Sequence, residues 1–455
     1  MERKKTIIIV SIIVVLLGVG LYFYFSKKTA PTPLPNSSFP GESIPLTGFT
    51  GAPNNTTLPD GTTFIPGSTP TLPRLYELHK VPVAGAGFIE EGVGLDHTVR
   101  ARYVERGLGH IYETPLATLV ESRIVNETRS RISETLWGNG GKSVVIRFID
   151  DNDSGSVIKT SILNIGGIST SFNRSTSTNS VSDFIKTEEV FLPDYIPFMA
   201  TSEDNTDKLF FLENSVGSTV GSLSTFKNVG PTSIFSSAFN EWLPQFPSQK
   251  LVTLTTKPSA TIAGHLFFLD TKTKAVTKIL GGINGLTTLT SHDGKSVLYE
   301  GVVNGVPSLS LYKIDTKTTT PLSLQTFPEK CAWGNKEVTR IYCSVPQSLP
   351  QATYPDQWYQ GLVSFSDDLW EIDTTTGNTQ KIMSPSTFGV AMLDITNPTL
   401  SSNDSYLLFM NKITGTPWVY RVSEDTPINP STEPSSSTST TTSFTPSTQG
   451  MVKLK

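Results

Sequence analysis

SHDGKSVLYEGVVNGVPSLSLYKIDTKTTTPLSL, Ser291 to Leu324, decides how the rest of the chain is read, because it holds one whole sheet unit. A turn at Asp293-Gly294 feeds an apolar strand, Val297 to Val302, and a loop from Gly301 to Pro307 leads to a second strand, Leu309 to Ile314. Asp315-Thr316 then turns the chain into a third strand, Pro321 to Leu324. In the second strand Ser310, Tyr312 and Ile314 fall on one face and Leu309 and Leu311 on the other. Apolar groups on both faces imply a sheet packed between two neighbours.

The parts of this unit recur. LFFLDTKT from Leu266, LYKIDTKT from Leu311 and LWEIDTTT from Leu369 are strands that end in an Asp-Thr turn, where the Asp carboxylate bonds the following amides. The preceding strand returns at Thr98, Ser143, Lys208, Lys250, Ser296, Thr339 and Tyr406, with spacings of 45, 65, 42, 46, 43 and 67 residues. A period near 50 residues (roughly the spacing of propeller blades), with two insertions, predicts an all-β, seven-bladed β-propeller over residues 73–423. Trp-Gly-Asn precedes two of these strands, so Trp137 and Trp333 are expected at equivalent positions in two blades. The last repeat, from Tyr406, lacks an outer strand. The segment Leu75 to His79 is expected to supply it and close the ring.

Ser291, Asp293, Gly294 and Lys295, with Leu369, Trp370, Asp373, Thr376 and Gly377, resemble the opening and close of the repeat in TolB-like and WD-repeat-like propellers. The resemblance implies the fold. It carries little about function, because such propellers serve as scaffolds, receptors and enzymes.

Outside the repeats the composition changes. Residues 1–5 carry Arg3, Lys4 and Lys5, and Thr6 to Phe25 lacks any charge; as a helix it spans about 30 Å, the thickness of bilayer hydrocarbon. It is read as an uncleaved transmembrane anchor, residues 6–25, with the N-terminus cytoplasmic and the remainder exported to the cell surface or periplasm. Residues 26–72 are rich in Pro, Ser and Thr and read as a stalk, and residues 424–455 as a disordered Ser/Thr-rich tail. A net charge of −4 without a basic block excludes a nucleic-acid partner.

Candidate chemistry is sparse. GNGGKS, Gly138 to Ser143, lacks the first glycine of a phosphate loop and reads as a turn, and Asp150 to Gly155 reads as a hairpin tip rather than a calcium loop. His79, His97, His110, His265 and His292 show no ligand spacing, and Asp367-Asp368 and Glu188-Glu189 read as solvated turns. No cofactor and no metal are expected, and no catalytic residue is assigned. Cys331 and Cys343, on consecutive strands of one blade, are either a disulfide or two buried thiols. The long connection Pro346 to Phe365 carries Tyr354, Trp358 and Tyr359, which either anchor a ligand or fold down to plug a gap.

The expected function is therefore binding: a membrane-anchored scaffold or receptor for a protein, a peptide or a cell-envelope glycan. The alternatives are an envelope glycan lyase or hydrolase with its site in the axial channel, or a subunit of a secretion or pilus assembly. Charged side chains converging at the channel mouth distinguish the enzyme from the binding module.

Overall fold

The computed structural model describes residues 56–57, 63–64, 72–152, 155–166 and 184–423. The expected anchor, nearly all of the stalk and the tail lie outside the described residues, as do Asp153 and Ser154 of the hairpin tip. Among the described residues no helix is long and apolar enough to cross a membrane. The chain divides into two units, Met1–Pro70 and Thr71–Lys455. Of the first, the structure describes one antiparallel pairing, Thr56–Thr57 with Thr63–Phe64.

The second unit is a seven-bladed β-propeller of four-stranded antiparallel sheets. Blade 1 runs from Val83 to Val125, blade 2 from Ile132 to Phe191, blade 3 from Met199 to Ser237 and blade 4 from Trp242 to Asn284. Blades 5 and 6 follow from Thr287 to Pro321 and from Cys331 to Met383. Blade 7 takes three strands from Ile395–Leu400, Tyr406–Asn411 and Thr416–Arg421, and its fourth from Leu75–Glu77. Within blades 1 to 6 the strands pair in chain order, and in blade 7 the early strand pairs outside the last one. First strands adjoin one another from blade 1 through blade 5 and again between blades 6 and 7, on the axial side of the ring.

The seven expected repeat strands are the second strands of the seven blades, beginning at Thr98, Ser143, Lys208, Leu251, Ser296, Arg340 and Tyr406. One element of the opening stretch differs. The outermost strand of blade 5 is Thr318–Pro321, not Pro321 to Leu324, because Lys317 at φ 55° turns the chain back at once. Leu324 instead packs inward beside Leu298 and Trp333.

Packing explains why both faces of a strand are apolar. Leu309 and Leu311 pack on Ile341 and Cys343 of blade 6, whereas Val297, Tyr312 and Ile314 pack with Leu266 and Leu280 of blade 4. Each pair of adjacent blades encloses one such cluster. The joint between blades 7 and 1 is made by Leu408 and Val419 against Val83, Ala101 and Tyr103. Trp137 and Trp333 do occupy equivalent places. Each indole N–H donates to an inner-strand carbonyl of the preceding blade, Gly85 at 3.4 Å and Leu289 at 3.3 Å.

Antiparallel order sorts the connections onto two faces. Links from second to third strand and from blade to blade emerge on one, the upper face, and the remaining turns on the lower. The lower turns of blades 3, 5 and 7 share one device. Ser202, Ser291 and Ser401 each donate a hydroxyl to the side-chain oxygen two residues on, in Asp204, Asp293 and Asn403.

Candidate functional site

The connection Pro346 to Phe365 lies on the upper face and folds over its own blade. Tyr354 and Trp358 are only 4% and 3% exposed, packed with Phe327 and Phe365. The Phe327 and Trp358 rings stack at 5.0 Å. Of the two readings of this connection, folding down to fill a gap describes Tyr354 and Trp358: burying two large rings in an apolar cluster is worth more than leaving them in water. Of the three, Tyr359 is the residue that keeps exposed surface, at 41%, although its hydroxyl is turned inward.

The segment reaches sideways as well. Asp356, opening the single helical turn Asp356–Tyr359, accepts the Ala260 N–H of blade 4 at 2.8 Å. Lys412 of blade 7 donates to the Trp358 carbonyl and lies 4.3 Å from the centre of its ring. The insertion is thus a cap spanning blades 4 to 7.

Charged groups converge beneath it. The Lys330 ammonium, fully buried, donates to Asp394 Oδ1 at 2.6 Å, to the Ile395 carbonyl at 2.8 Å and pairs with Asp367 Oδ2 at 2.7 Å. All three of its protons are used. Burial lifts the Asp367 carboxyl to about 6, and the Lys330 ammonium holds it from rising further. Asp394 also receives the Trp358 indole N–H at 3.3 Å and the Phe365 amide at 3.2 Å, so the triad fixes the cap to the blades. The reading of Asp367-Asp368 as a solvated turn is corrected. Asp367 is buried in the triad, and Asp368 bonds Gln347, Lys381 and Ser384. Glu189 lies at the surface, paired with Arg129.

A second group lies beside the triad. Glu300 is fully buried, its Oε2 accepting only a long 3.4 Å bond from Thr287, while Glu300 Oε1 and Glu329 Oε2 have no hydrogen-bond partner. The Tyr359 hydroxyl points down onto Glu329. Burial, with the nearby Glu329 carboxylate, pushes the Glu300 carboxyl up to about 9, and burial raises Glu329 and Tyr359 as well. Glu300 is therefore neutral in the folded chain at pH 7.

A carboxyl with a raised folded pKa costs stability once the unfolded chain ionises, so the penalty is absent below the ordinary value of 4.5 and grows until about 9. Glu300→Gln should leave the melting temperature unchanged at pH 4 and raise it by about 2–3 °C at pH 8, read by differential scanning calorimetry. A constant difference across that range would contradict the assignment.

Cys331 and Cys343 are register partners on the first two strands of blade 6, and the structure joins them as a disulfide with the Cα atoms 4.0 Å apart. A loop closed over 12 residues predicts that the Cys331→Ala/Cys343→Ala pair lowers stability by about 2–3 kcal/mol, measured as a shift in urea midpoint.

The histidines do not gather around the axis. His79, His97, His110 and His292 pair with Glu121, Glu90, Glu105 and Glu203 respectively. Among the described residues no group of three His, Cys, Asp or Glu side chains is placed to hold a metal ion.

The lower face carries a cleft of about 700 Å³ between blades 4 and 5. Half-buried Phe268, Ile279 and Ile314 form its floor, and Asp204, Asp270 and Asp293 stand at its rim. Repetition of the turn sequences foreshadowed Asp270 and Asp293 as turn formers, though not Asp204. Their convergence on one cleft needs the ring, and local sequence does not express it.

No protein-family model and no curated protein matches the sequence. Solved structures similar to the chain include an oligogalacturonate lyase from Vibrio parahaemolyticus (11% identity, TM-score 0.45, covering 76% of this chain and 99% of that one). TolB from Acinetobacter baumannii is also similar (12%, TM-score 0.37, covering 74% and 79%), as is the β-propeller domain of Cps50 from Myceliophteria thermophila (9%, TM-score 0.45, covering 77% and 100%). At such identities the likeness concerns fold alone, and the blade order above establishes the fold independently.

Proposed function

We propose that this chain is a membrane-anchored, extracytoplasmic β-propeller that works as a binding or scaffold module for a protein, peptide or cell-envelope glycan. The uncharged run Thr6 to Phe25, the Pro-rich stretch behind it and the Cys331–Cys343 bond, which an oxidising compartment favours, support the placement. One observation carries the binding reading: the Lys330, Asp367 and Asp394 group of the upper face is buried under its own cap, while an open cleft lies on the lower face. Charges do converge on the upper face, beside the starts of the first strands of blades 6 and 7. Lys330 and Asp394, however, spend their bonds on one another and on the cap.

The test is site-specific photocrosslinking in intact cells, with the photoreactive residue at Thr277 in the cleft wall or at Tyr359 on the cap. A discrete adduct from Thr277, and none from Tyr359, is expected. Adducts from Tyr359 alone would overturn the choice of face. Raised Glu300 and Glu329 keep one competing reading in view, a glycan lyase or hydrolase whose cap must open. It requires turnover of envelope glycan that Glu300→Gln abolishes.

A further inference from the structure

Resting on the binding reading, the chemistry of the lower-face cleft narrows the partner. Its outer wall is the fourth strand of blade 4, Val276–Asn284, preceded by Ala275. Ala275, Thr277 and Ile279 all line the cleft, as alternate residues on one face of a strand must, roughly 7 Å apart. The floor is apolar and the rim is acidic. Asp204, Asp270 and Asp293 outnumber the one lining lysine, Lys250; Lys295, outside the lining, stands 4.0 Å from Asp293 Oδ2 at an exposed position, and the lining histidine, His292, is already engaged by Glu203 at 3.2 Å.

These carboxylates are fixed in place. Asp270 Oδ1 accepts the amides of Thr273 at 2.6 Å and Lys272 at 3.0 Å, and Asp293 Oδ1 accepts the Ser291 hydroxyl at 2.7 Å and the Lys295 amide at 3.0 Å. Asp204 Oδ2 accepts the Gln249 amide at 2.8 Å. Bonds from the Thr273 amide and its neighbours hold the Asp270 carboxyl below its ordinary range. Burial works to raise Asp204, but the bonds from Gln249, Ser202 and Thr206 outweigh it. The rim is thus a preoriented set of anions whose order is not lost when a ligand arrives.

A ligand suited to this site has a hydrocarbon stem to lie on Phe268 and Ile314 and a cationic end to reach the rim. Arginine and lysine side chains have that form, and a guanidinium adds stacking on the Phe268 face. An extended chain running beside the outer strand repeats its side chains at the same interval as Ala275, Thr277 and Ile279. We propose that the cleft between blades 4 and 5 takes an extended segment of a partner protein that presents alternating arginine or lysine side chains.

The experiment uses the full chain in detergent and a fluorescein-labelled heptapeptide of alternating arginine and valine, followed by fluorescence anisotropy. Saturable binding is expected, weakening steeply between 50 and 200 mM salt and at least tenfold in the Asp270→Asn/Asp293→Asn double variant. Asparagine can still accept the turn amides, and unchanged circular dichroism confirms that the blades persist. A peptide with glutamate in place of arginine should not bind. Equal affinity in the double variant, or no binding of the basic peptide, overturns the proposal. If a neutral envelope oligosaccharide binds instead and protects Phe268 from hydroxyl-radical labelling, the binding reading stands and the basic protein segment falls as the partner. Absence of every ligand from this cleft, with crosslinks from Tyr359, removes both.

Discussion

Lys330→Met should lower stability by about 3–5 kcal/mol, because it removes the ammonium paired with both Asp367 and Asp394 in a site closed to water. The loss is a property of the stranded carboxyls rather than of the lysine alone. Adding Asp367→Asn and Asp394→Asn to Lys330→Met should therefore recover part of it. The ammonium also lies 5.2 Å from the centres of both the Trp358 and Phe365 rings, so the single variant should loosen the cap and expose the connection Pro346 to Phe365 to limited proteolysis. Guanidinium denaturation of the single and triple variants gives the first effect, and protease cutting sites give the second.

Arg102→Met is expected to cost about 3 kcal/mol by the same physics in a different joint. Fully buried, Arg102 donates Nε to Glu113 Oε2 at 2.8 Å within blade 1 and Nη1 to the carbonyls of Gly141 at 2.9 Å and Gly166 at 3.0 Å at the lower turns of blade 2. Its removal takes one partner from Glu113 and leaves two carbonyls unpaired between the blades. Arg100 holds the other oxygen, Glu113 Oε1, at 2.8 Å from a partly exposed position. Arg100→Met should cost only about 1 kcal/mol, since Glu113 keeps its buried partner. Similar losses in the two variants would mean that the link between blades contributes nothing beyond neutralising Glu113.

What was legible in the sequence follows the range of the interactions. Period-2 apolar strands and the Asp-Thr turns are local, so Leu266, Leu311 and Leu369 announced the third strands and Ser291-Asp293 announced a lower turn that the structure repeats. The same turn in blades 3 and 7 is written Ser202-Glu203-Asp204 and Ser401-Ser402-Asn403, without the glycine and lysine that made it conspicuous in blade 5. Ring closure was visible as a shortfall, one strand missing at the end and one to spare at the beginning.

The sites were less legible. Asp367 is separated from Lys330 by a whole connection, and nothing near it distinguishes a buried acid from a solvated one. The aromatics of Pro346 to Phe365 carried two meanings, and the outcome depended on Phe327, which lies outside the segment. Likewise the lower cleft gathers carboxylates from three blades: Asp270 and Asp293 looked sufficient to their own turns, and Asp204 carried no signal of its own.

Every site described depends on the ring being closed by an early strand, and an engineered crosslink tests that most directly. Arg421 donates its amide to the Arg74 carbonyl at 2.8 Å and Leu78 donates to Pro417 at 2.9 Å, so Glu77 and Trp418 face each other at a non-hydrogen-bonded pair. That is the same kind of position as Cys331 and Cys343. In Glu77→Cys/Trp418→Cys a second disulfide should form spontaneously, appear as one linked peptide pair by mass spectrometry and leave the fold intact. Persistent free thiols at 77 and 418 in the folded chain would contradict closure and with it the placement of both faces.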